Sequence, residues 1–263
     1  MKKLLWTLPL LLITAGGVTL FVNSQHGPTP MGQAGAQPVS HQLWDQQLRR
    51  FVDVNGMVDY RGWKDQRGPL DQYLQLLSEN PPAPNWTKAE KLAYWINAYN
   101  AFTVDIILQN YPLGSIRDLH TVPGIATIWH ESFFEIGGQP TSLNQIEHGI
   151  LRVAFEEPRI HFAINCASLS CPVLRAEAYF AEKLEAQLTD QARLFLSQPL
   201  RNRISPQEIE LSKIFSWFSG DFTKTGSLID FLNQYVPVKI QADAEISYMP
   251  YDWSLNEGAE VPL

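Results

Sequence analysis

The chain has only two cysteines and no cluster of basic residues, and each shortage excludes a class of protein. No cysteine occurs in the first 40 residues, which excludes a lipid-modified N-terminal cysteine. The net charge is −7, the isoelectric point is near 5.4, and no run of Lys or Arg is present. Such a chain has little to attract phosphate backbones through counterion release, so we expect no nucleic-acid partner.

Several motifs of catalysis and cofactor binding are also missing. The sequence has no GxSxG nucleophile elbow, phosphate-binding loop, Rossmann glycine run or EF-hand loop. These absences disfavour serine esterase chemistry, nucleotide hydrolysis and hydride transfer, and we expect no cofactor.

The N-terminus has the composition of an export signal. Lys2 and Lys3 precede 19 uncharged residues, 4–22. Residues 22–24 (Val-Asn-Ser) form an acceptable cleavage site, yet the apolar run exceeds the usual length of about 7 to 15 residues and is about long enough to span a bilayer. A cleaved signal peptide and an uncleaved membrane anchor are therefore both open for residues 1–22. Either one leaves the domain in the periplasm or on the outer face of the membrane, with membrane contact only through this segment.

The rest of the chain predicts a linker and one domain. Residues 23–40, rich in Gly, Pro, Gln and Ser, predict a flexible linker, and residues 41–258 predict a single globular domain. Its strand and helix patterns are mixed without regular βαβ spacing. This indicates an α+β domain with helices packed on a small, mostly antiparallel sheet. A purely helical fold is the alternative.

Two capping boxes predict where helices begin. Thr87 and Glu90 open a long helix that ends before Pro112, and Ser142 and Gln145 open a second one. A further long helix is expected at about 180–197. Strands are predicted at 128–138 with a turn at Gly137-Gly138, at 160–165, near 208 and around EISYMPYDW.

Polar side chains on the two capped helices are candidates for chemistry. Glu147 falls within an apolar arc of the second helix, and a carboxylate buried there must be paired, hydrogen-bonded or protonated. It is either a structural group or an acid or base with a raised pKa. His148 is expected on the exposed side. Asn97 and Asn100 on the first helix need partners, either a backbone group or a substrate.

The strand pattern at 160–165 places His161, Ala163 and Asn165 on one face. A histidine and an asparagine on one face is the arrangement that orients a general base. It is equally the arrangement of a hydrogen-bonded histidine in a core, and both interpretations are open.

The two cysteines, Cys166 and Cys171, allow several interpretations. Pro172 predicts Cys171 at the N-cap of a short helical turn, where a thiolate would be stabilised. Alternatively, the pair forms a disulfide, since four residues lie between them and the expected compartment is oxidising. Two inert thiols are a third interpretation. A metal site with His161 and His130 lacks a zinc-ligand signature, and we expect no metal.

Six motifs resemble one known family. They are WINAYNA (95–101), FEIGG (134–138), the run from Ser142 through IEHGILR (146–152), HFAINCASLSCPVLR (161–175), LSKIFSWFSGDF (211–222) and YDWSLN (251–256). Over about residues 40–258 the chain resembles the uncharacterised domains numbered 547 in the domain-of-unknown-function series. The resemblance implies a fold and an exported context more than a reaction. It offers these site candidates: Asn97, Asn100, Glu147, His148, Arg152, His161, Asn165, Cys166, Cys171, Lys213 and Asp221.

These observations favour a cleft lined by Glu147, His161, Asn165 and Cys171. A papain- or transglutaminase-like core is one form of the expected fold. The expected reaction is acyl transfer, in which Cys171 attacks a peptide or amide carbonyl and His161 serves as base and then acid. Asn165 or Glu147 would orient the imidazole. The substrate-binding candidates are Asn97, Asn100, Arg152 and Lys213.

The alternative function belongs to another class. The chain would then be a non-catalytic binding or scaffold module of the cell envelope. In that case the Cys166–Cys171 bridge and Glu147 are structural, and aromatic side chains near Trp217 and Phe218 meet a partner.

Overall fold

The computed structural model describes residues 27–120 and 127–258. The predicted signal or anchor at 1–22 lies outside these ranges. No helix within them is long and apolar enough to cross a membrane.

The described part of the predicted linker lies against the domain instead of extending freely. The backbone N–H of Gly32 donates to the carbonyl of Pro82, and the indole of Trp86 donates to the carbonyl of Ala36. Gln145 donates to the carbonyl of Gly27. Residues 27–36 therefore make specific contacts with the domain, and the flexibility of the linker stays a prediction.

Three helices precede the long central helix. They are α1 (Gln42–Phe51), α2 (Tyr60–Asp65) and α3 (Gly68–Glu79). Their buried faces carry an aromatic stack in which Trp44 contacts both Trp63 and Tyr73. Burial of such large rings is the main stabilising contribution of this part of the chain.

Helix α4 (Lys88–Asn110) is the centre of the fold. The capping box of Thr87 and Glu90 opens it as predicted. Every residue from Leu92 to Leu108 is buried, because α2, α3 and the segment after residue 144 pack around it. The sequence predicted a single wide apolar face, and the structure instead buries the whole circumference of these turns.

The strands form two small sheets. Strands β1 (Phe134–Ile136) and β2 (Gln139–Thr141) make an antiparallel hairpin. Its turn is Gly137-Gly138, as predicted, and both glycines have a positive φ, which the two-residue turn requires. Residues 128–130 form a 3-10 helix instead of the predicted strand.

The second sheet has the strand order β3-β4-β5, with β3 (Arg203–Ile204), β4 (Glu208–Leu211) and β5 (Glu245–Tyr248). Strand β4 pairs antiparallel with β3 and parallel with β5. Together with the helices, the two small sheets make the chain a single α+β domain, which confirms the predicted fold class.

The second capped helix contains a π-helical segment. Ser142 accepts from the backbone N–H of Gln145, so half of the predicted capping box is present. A π-helix follows at Gln145–Leu151 and continues into α5 (Arg152–Ala154). π-Bulges in helices are frequent at functional sites.

The predicted strand at 160–165 is wrong, because residues Ile160–Ala163 form a helical turn, α6. Ile160, Ala163 and Ile164 pack in the main core, and this spacing is that of one helical face. Phe162 points into a second core of aromatic side chains. A strand would place Ile160 and Phe162 on the same face, so it could not supply both cores.

The second core contains the C-terminal helices. These are α7 (Leu184–Leu196), α8 (Lys213–Trp217), α9 (Ser219–Phe222) and α10 (Leu228–Leu232). Their phenylalanines surround Phe162. The main core and the second core meet near α6, and the candidate site lies there.

Candidate active site around Cys166

A cavity of about 240 Å³ opens where the two cores meet. Five of the predicted site residues line it, namely Glu147, His148, His161, Cys166 and Cys171. Its wall also includes Tyr99, Trp129, Trp217, Phe218, Tyr251 and Trp253. The sequence therefore predicted the polar centre of this pocket, although several aromatic wall residues come from distant parts of the chain.

The loop after α6 positions Cys166. Asn165 donates from its side chain to the carbonyl of Pro172 and accepts from the backbone N–H of Ala167. Its own backbone N–H donates to the side chain of Asn100. Ala167 has a φ of 59°, an uncommon conformation for a residue with a side chain. Asn165 therefore shapes this loop, and the prediction that it orients the imidazole is wrong.

The two thiols are adjacent and unbonded. Their sulfur atoms are 3.2 Å apart, and both cysteines are free. Cys171 is buried, with 4% of its surface exposed, whereas Cys166 is partly exposed in the cavity. The next helix, α7, begins only at Leu184, so the predicted helix N-cap at Cys171 is wrong.

Cys166 is surrounded by hydrogen-bond donors. The Cys171 sulfur lies 3.2 Å from its sulfur, and the hydroxyls of Ser168 and Tyr251 lie 3.3 and 3.4 Å from it. The backbone N–H of Ser168 adds another donor. The hydrogen bond from Cys171 is the largest contribution that lowers the pKa of Cys166 to about 7, against the opposing effect of burial.

The pKa of Cys171 is shifted in the opposite direction. Burial of its thiol, followed by the hydrogen bond to Cys166, raises the pKa of Cys171 well above its ordinary value. These opposite shifts favour Cys166 over Cys171 as the thiolate of the pair. The sequence-based prediction that Cys171 is the nucleophile is not supported by this geometry.

Glu147 provides a buried carboxyl group on the π-helix. Burial, and after it the negative charge of Cys166, raise the pKa of Glu147 to about 7. The hydroxyl of Tyr99 lies 3.4 Å from one carboxyl oxygen. Of the two predicted alternatives for Glu147, the acid or base with a raised pKa fits this environment.

The Nε2 side of the His161 ring contacts an ion pair formed by Asp221 and Arg152. Its Nε2 lies 2.8 Å from Oδ2 of Asp221, and Arg152 donates to the same carboxylate through Nε at 2.6 Å. The imidazole stacks on Phe218 at 4.0 Å between ring centroids. Nδ1 of His161 lies 3.9 Å from a carboxyl oxygen of Glu147.

Opposite effects act on the pKa values of His161 and Asp221. Burial lowers the pKa of His161, although the hydrogen bond to Asp221 opposes this. Burial would raise the pKa of Asp221, yet the hydrogen bonds from His161 and Arg152 outweigh it and hold this pKa well below its usual range. Asp221 is therefore ionised, so the proton of a neutral imidazole lies on Nε2 and the lone pair of Nδ1 faces Glu147.

All four predicted substrate-binding residues lie outside the cavity wall. The side chain of Asn97 bonds the backbone N–H and carbonyl of Tyr179. Asn100 bonds Ala163 and Asn165 in the same way. Lys213 lies over the ring of Tyr248. Arg152, the fourth, pairs with Asp221 and contacts His148, so it supports the site from behind.

The aromatic residues near position 217 form part of the cavity wall. Phe218 stacks on His161, and Trp217, which is 48% exposed, contacts Tyr251 and Trp253. Sequence reasoning did not identify Tyr251, Ser168 or Trp129 as site residues. The only signal for Tyr251 was its position in the YDWSLN motif.

No group of three or more His, Cys, Asp or Glu side chains in ranges 27–120 and 127–258 could hold a metal ion. The polar centre of the cavity instead contains two thiols, a carboxyl group and an imidazole whose partners are other protein groups.

Residues 83–196 match the family described as "Protein of unknown function, DUF547". This stretch contains α4, the π-helix, α6, both cysteines and all of α7. The chain thus contains a domain of this family, as its motifs indicated. No curated protein and no protein of solved structure matches the chain.

Proposed function

We propose that this domain is a cysteine-dependent acyl-transfer enzyme, a hydrolase or transferase of peptide or amide bonds, with Cys166 as its nucleophile. The observation that carries the proposal is the set of donors around the Cys166 sulfur inside a largely apolar cavity. Such donors stabilise a thiolate, which is the reactive form of cysteine. The proposal does not depend on a papain- or transglutaminase-like core, which stays a prediction.

The first step is attack by the Cys166 thiolate on the carbonyl carbon. A C–S bond forms, and the C=O electron pair moves to oxygen as an oxyanion. As the negative charge moves from the Cys166 sulfur to the oxygen, the N–H of Ser168 and the hydroxyls of Ser168 and Tyr251 no longer have a thiolate as their hydrogen-bond acceptor. These donors can then turn to the oxyanion, which is the position where preorganised donors lower a barrier most.

Glu147 supplies and removes the proton. When the tetrahedral intermediate collapses, the C–N bond breaks, and the protonated carboxyl group gives its proton to the leaving amine. Water or an acceptor amine then attacks the thioester carbonyl and gives its proton to the Glu147 carboxylate. The C–S bond breaks, the product leaves as the free acid or the new amide, and Cys166 is released as the thiolate. A carboxyl group with a pKa of about 7 is matched to both roles near neutral pH.

His161 is a positioning residue in this scheme. Within the part of the chain that the structure describes, it makes no hydrogen bond to either sulfur, because its Nε2 bonds Asp221. Its Nδ1 faces Glu147 and orients the protonated carboxyl group. This replaces the expected role of His161 as the general base.

The test uses fully reduced protein and an activated acyl donor, p-nitrophenyl acetate, followed by a panel of peptide p-nitroanilides. We expect a burst of nitrophenol and an acetyl group on Cys166 in acid-quenched protein, measured by mass spectrometry of peptides. Cys166→Ala abolishes both the burst and amide turnover. Undiminished turnover of any of these amides by Cys166→Ala would refute the assignment.

The location of the enzyme is a separate proposal. Lys2, Lys3 and the uncharged residues 4–22 support export, with the domain in the periplasm or on the outer face of the membrane. Fusing residues 1–40 to alkaline phosphatase, which is active only after export, tests this. An inactive fusion would contradict it.

A further inference from the structure

The arrangement of the two thiols has a feature that acyl transfer does not require. A nucleophilic cysteine needs one sulfur, yet Cys171 lies directly behind Cys166 with its sulfur 3.2 Å away. Both cysteines line the cavity, but Cys171 is buried whereas Cys166 is partly exposed. A molecule that enters the cavity therefore reaches the Cys166 sulfur first, with the second thiol already within reach.

The pair can form a bond with little movement. A disulfide has an S–S distance of about 2.05 Å, so the two sulfurs need to approach by only about 1 Å from the observed contact. The loop between them is short, with four intervening residues. The backbone N–H of Cys166 already bonds the sulfur of Cys171, which keeps the two residues in register.

We propose that Cys166 and Cys171 are a thiol–disulfide exchange pair that reduces a low-molecular-weight disulfide, with Cys166 as the attacking thiol and Cys171 as the resolving thiol. The inference rests on the same nucleophile as the proposed acyl transfer, but it adds a second reaction and a second substrate class. The cavity of about 240 Å³ fits one half of a small disulfide, and its aromatic wall shields that half from solvent.

The reaction balances in two steps. The Cys166 thiolate attacks one sulfur of the substrate R–S–S–R′, the S–S bond of the substrate breaks, and R′–S⁻ leaves with the electron pair. Cys171 then loses its proton and attacks the Cys166 sulfur of the mixed disulfide, so that R–S⁻ leaves. The substrate gains two electrons, and the protein is oxidised to the Cys166–Cys171 disulfide. A dithiol reductant returns it to two thiols by the reverse chemistry.

Glu147 is the group placed to receive the proton of Cys171. Its carboxyl group lines the same cavity and is close enough to the cysteine pair for the charge of Cys166 to act on it. Once Cys166 is in a mixed disulfide, that charge is gone. The Glu147 carboxyl group then ionises more readily and can act as the base in the second step.

Oxidation of the two cysteines would also affect the acyl-transfer site. The Cys166–Cys171 disulfide removes the nucleophile, so the oxidised protein cannot form an acyl-enzyme. The redox state of one pair of sulfurs would therefore control the proposed hydrolase or transferase activity. This control needs no movement of the rest of the fold.

The test is reaction of the reduced protein with glutathione disulfide and no acyl donor. Samples are quenched with acid and examined by intact mass and by iodoacetamide labelling after denaturation. We expect the wild-type protein to lose two hydrogens and all labelling. Cys171→Ser, which keeps a hydrogen-bond donor beside Cys166, should instead accumulate a mixed disulfide with one glutathionyl group. Cys166→Ser should do neither, and Ser170→Ala, a control in the same loop, should behave as the wild-type protein does.

A stable mixed disulfide in the wild-type protein, or unchanged labelling of both cysteines, would overturn the proposal. A second measurement keeps the result clear if a variant fails to fold: phenylarsine oxide bridges two adjacent thiols, and native wild-type protein should bind one equivalent. Absence of this binding would also overturn it. Because these assays contain no acyl donor, they can fail while the acetylation of Cys166 succeeds, and the reverse outcome is equally distinguishable.

Discussion

The imidazole of His161 and the carboxylate of Asp221 are joined by a hydrogen bond of 2.8 Å between Nε2 and Oδ2. This bond connects α6 to α9 and thus links the main core to the second one. It also fixes the tautomer of the imidazole, because an ionised carboxylate accepts the proton on Nε2. The lone pair on Nδ1 is consequently left for the carboxyl group of Glu147 on the cavity side.

We expect Asp221→Asn to destabilise the fold. The substitution leaves Arg152 without its anionic partner and weakens the hydrogen bond to His161, so the free energy of unfolding should fall by about 1–3 kcal/mol. Urea denaturation measures the difference. Asp190→Asn is the control, because the Asp190–Arg175 pair is exposed and should contribute less than about 1 kcal/mol. Equal effects of the two substitutions would contradict the central role of Asp221.

Asp221 should also make the protein sensitive to acid. Its pKa is lower in the folded state than in the unfolded state, so the folded state binds fewer protons as the pH falls. The stabilisation is therefore present above the unfolded value of about 3.9 and is lost as the pH falls through the folded value. Unfolding measured between pH 7 and pH 2 should show a smaller decline for Asp221→Asn than for the wild-type protein. Parallel curves would contradict this.

Glu147 should have the opposite pH dependence. Its pKa of about 7 lies above the unfolded value of about 4.3. The contribution of the protonated Glu147 carboxyl group to the free energy of unfolding is therefore fully present below the unfolded value. It is lost as the pH rises to about 7. We expect Glu147→Gln to gain stability relative to the wild-type protein between pH 4 and pH 8, by on the order of 2 kcal/mol. A difference that does not change with pH would show that Glu147 ionises normally.

The sequence predicted those parts of the fold that local interactions determine. The capping box at Thr87 and the Gly137-Gly138 turn depend on residues a few positions apart, and both are present in the structure. The alternation at 160–165 was misleading, because two separate cores take side chains from this one turn. Tertiary packing there overrides the local pattern.

The candidate site was predicted only in part, for a related reason. Glu147, His161 and the cysteines could be singled out by residue type and motif. Which thiol faces the cavity depends on the loop geometry set by Asn165, and Tyr251 reaches Cys166 from 85 positions along the chain. Neither fact has a local signal in the sequence.

Asn97 should prove to be a structural residue. Its side chain holds the backbone of Tyr179, so Asn97→Ala leaves buried backbone groups unpaired and should cost about 1–3 kcal/mol of stability. Iodoacetamide labelling of Cys166 in the folded variant should keep the wild-type rate. Asn165→Ala is the comparison, since it releases the loop that carries Cys166 and should change both stability and labelling. A labelling change in Asn97→Ala as large as that in Asn165→Ala would contradict this assignment.

Tyr251→Phe should raise the pKa of Cys166 by removing one donor from its sulfur. The wild-type thiol should be alkylated by iodoacetamide with a midpoint near pH 7, which is the pKa to which the hydrogen bonds lower it. Loss of one hydrogen bond to a charged group should raise this midpoint by roughly one unit. Tyr248→Phe is the matched control, because Tyr248 lies on β5 and is not part of the cavity wall. If both variants keep the wild-type midpoint, Tyr251 does not stabilise the thiolate. If the wild-type midpoint itself lies near the ordinary value of about 8.5, the donors around Cys166 do not activate it.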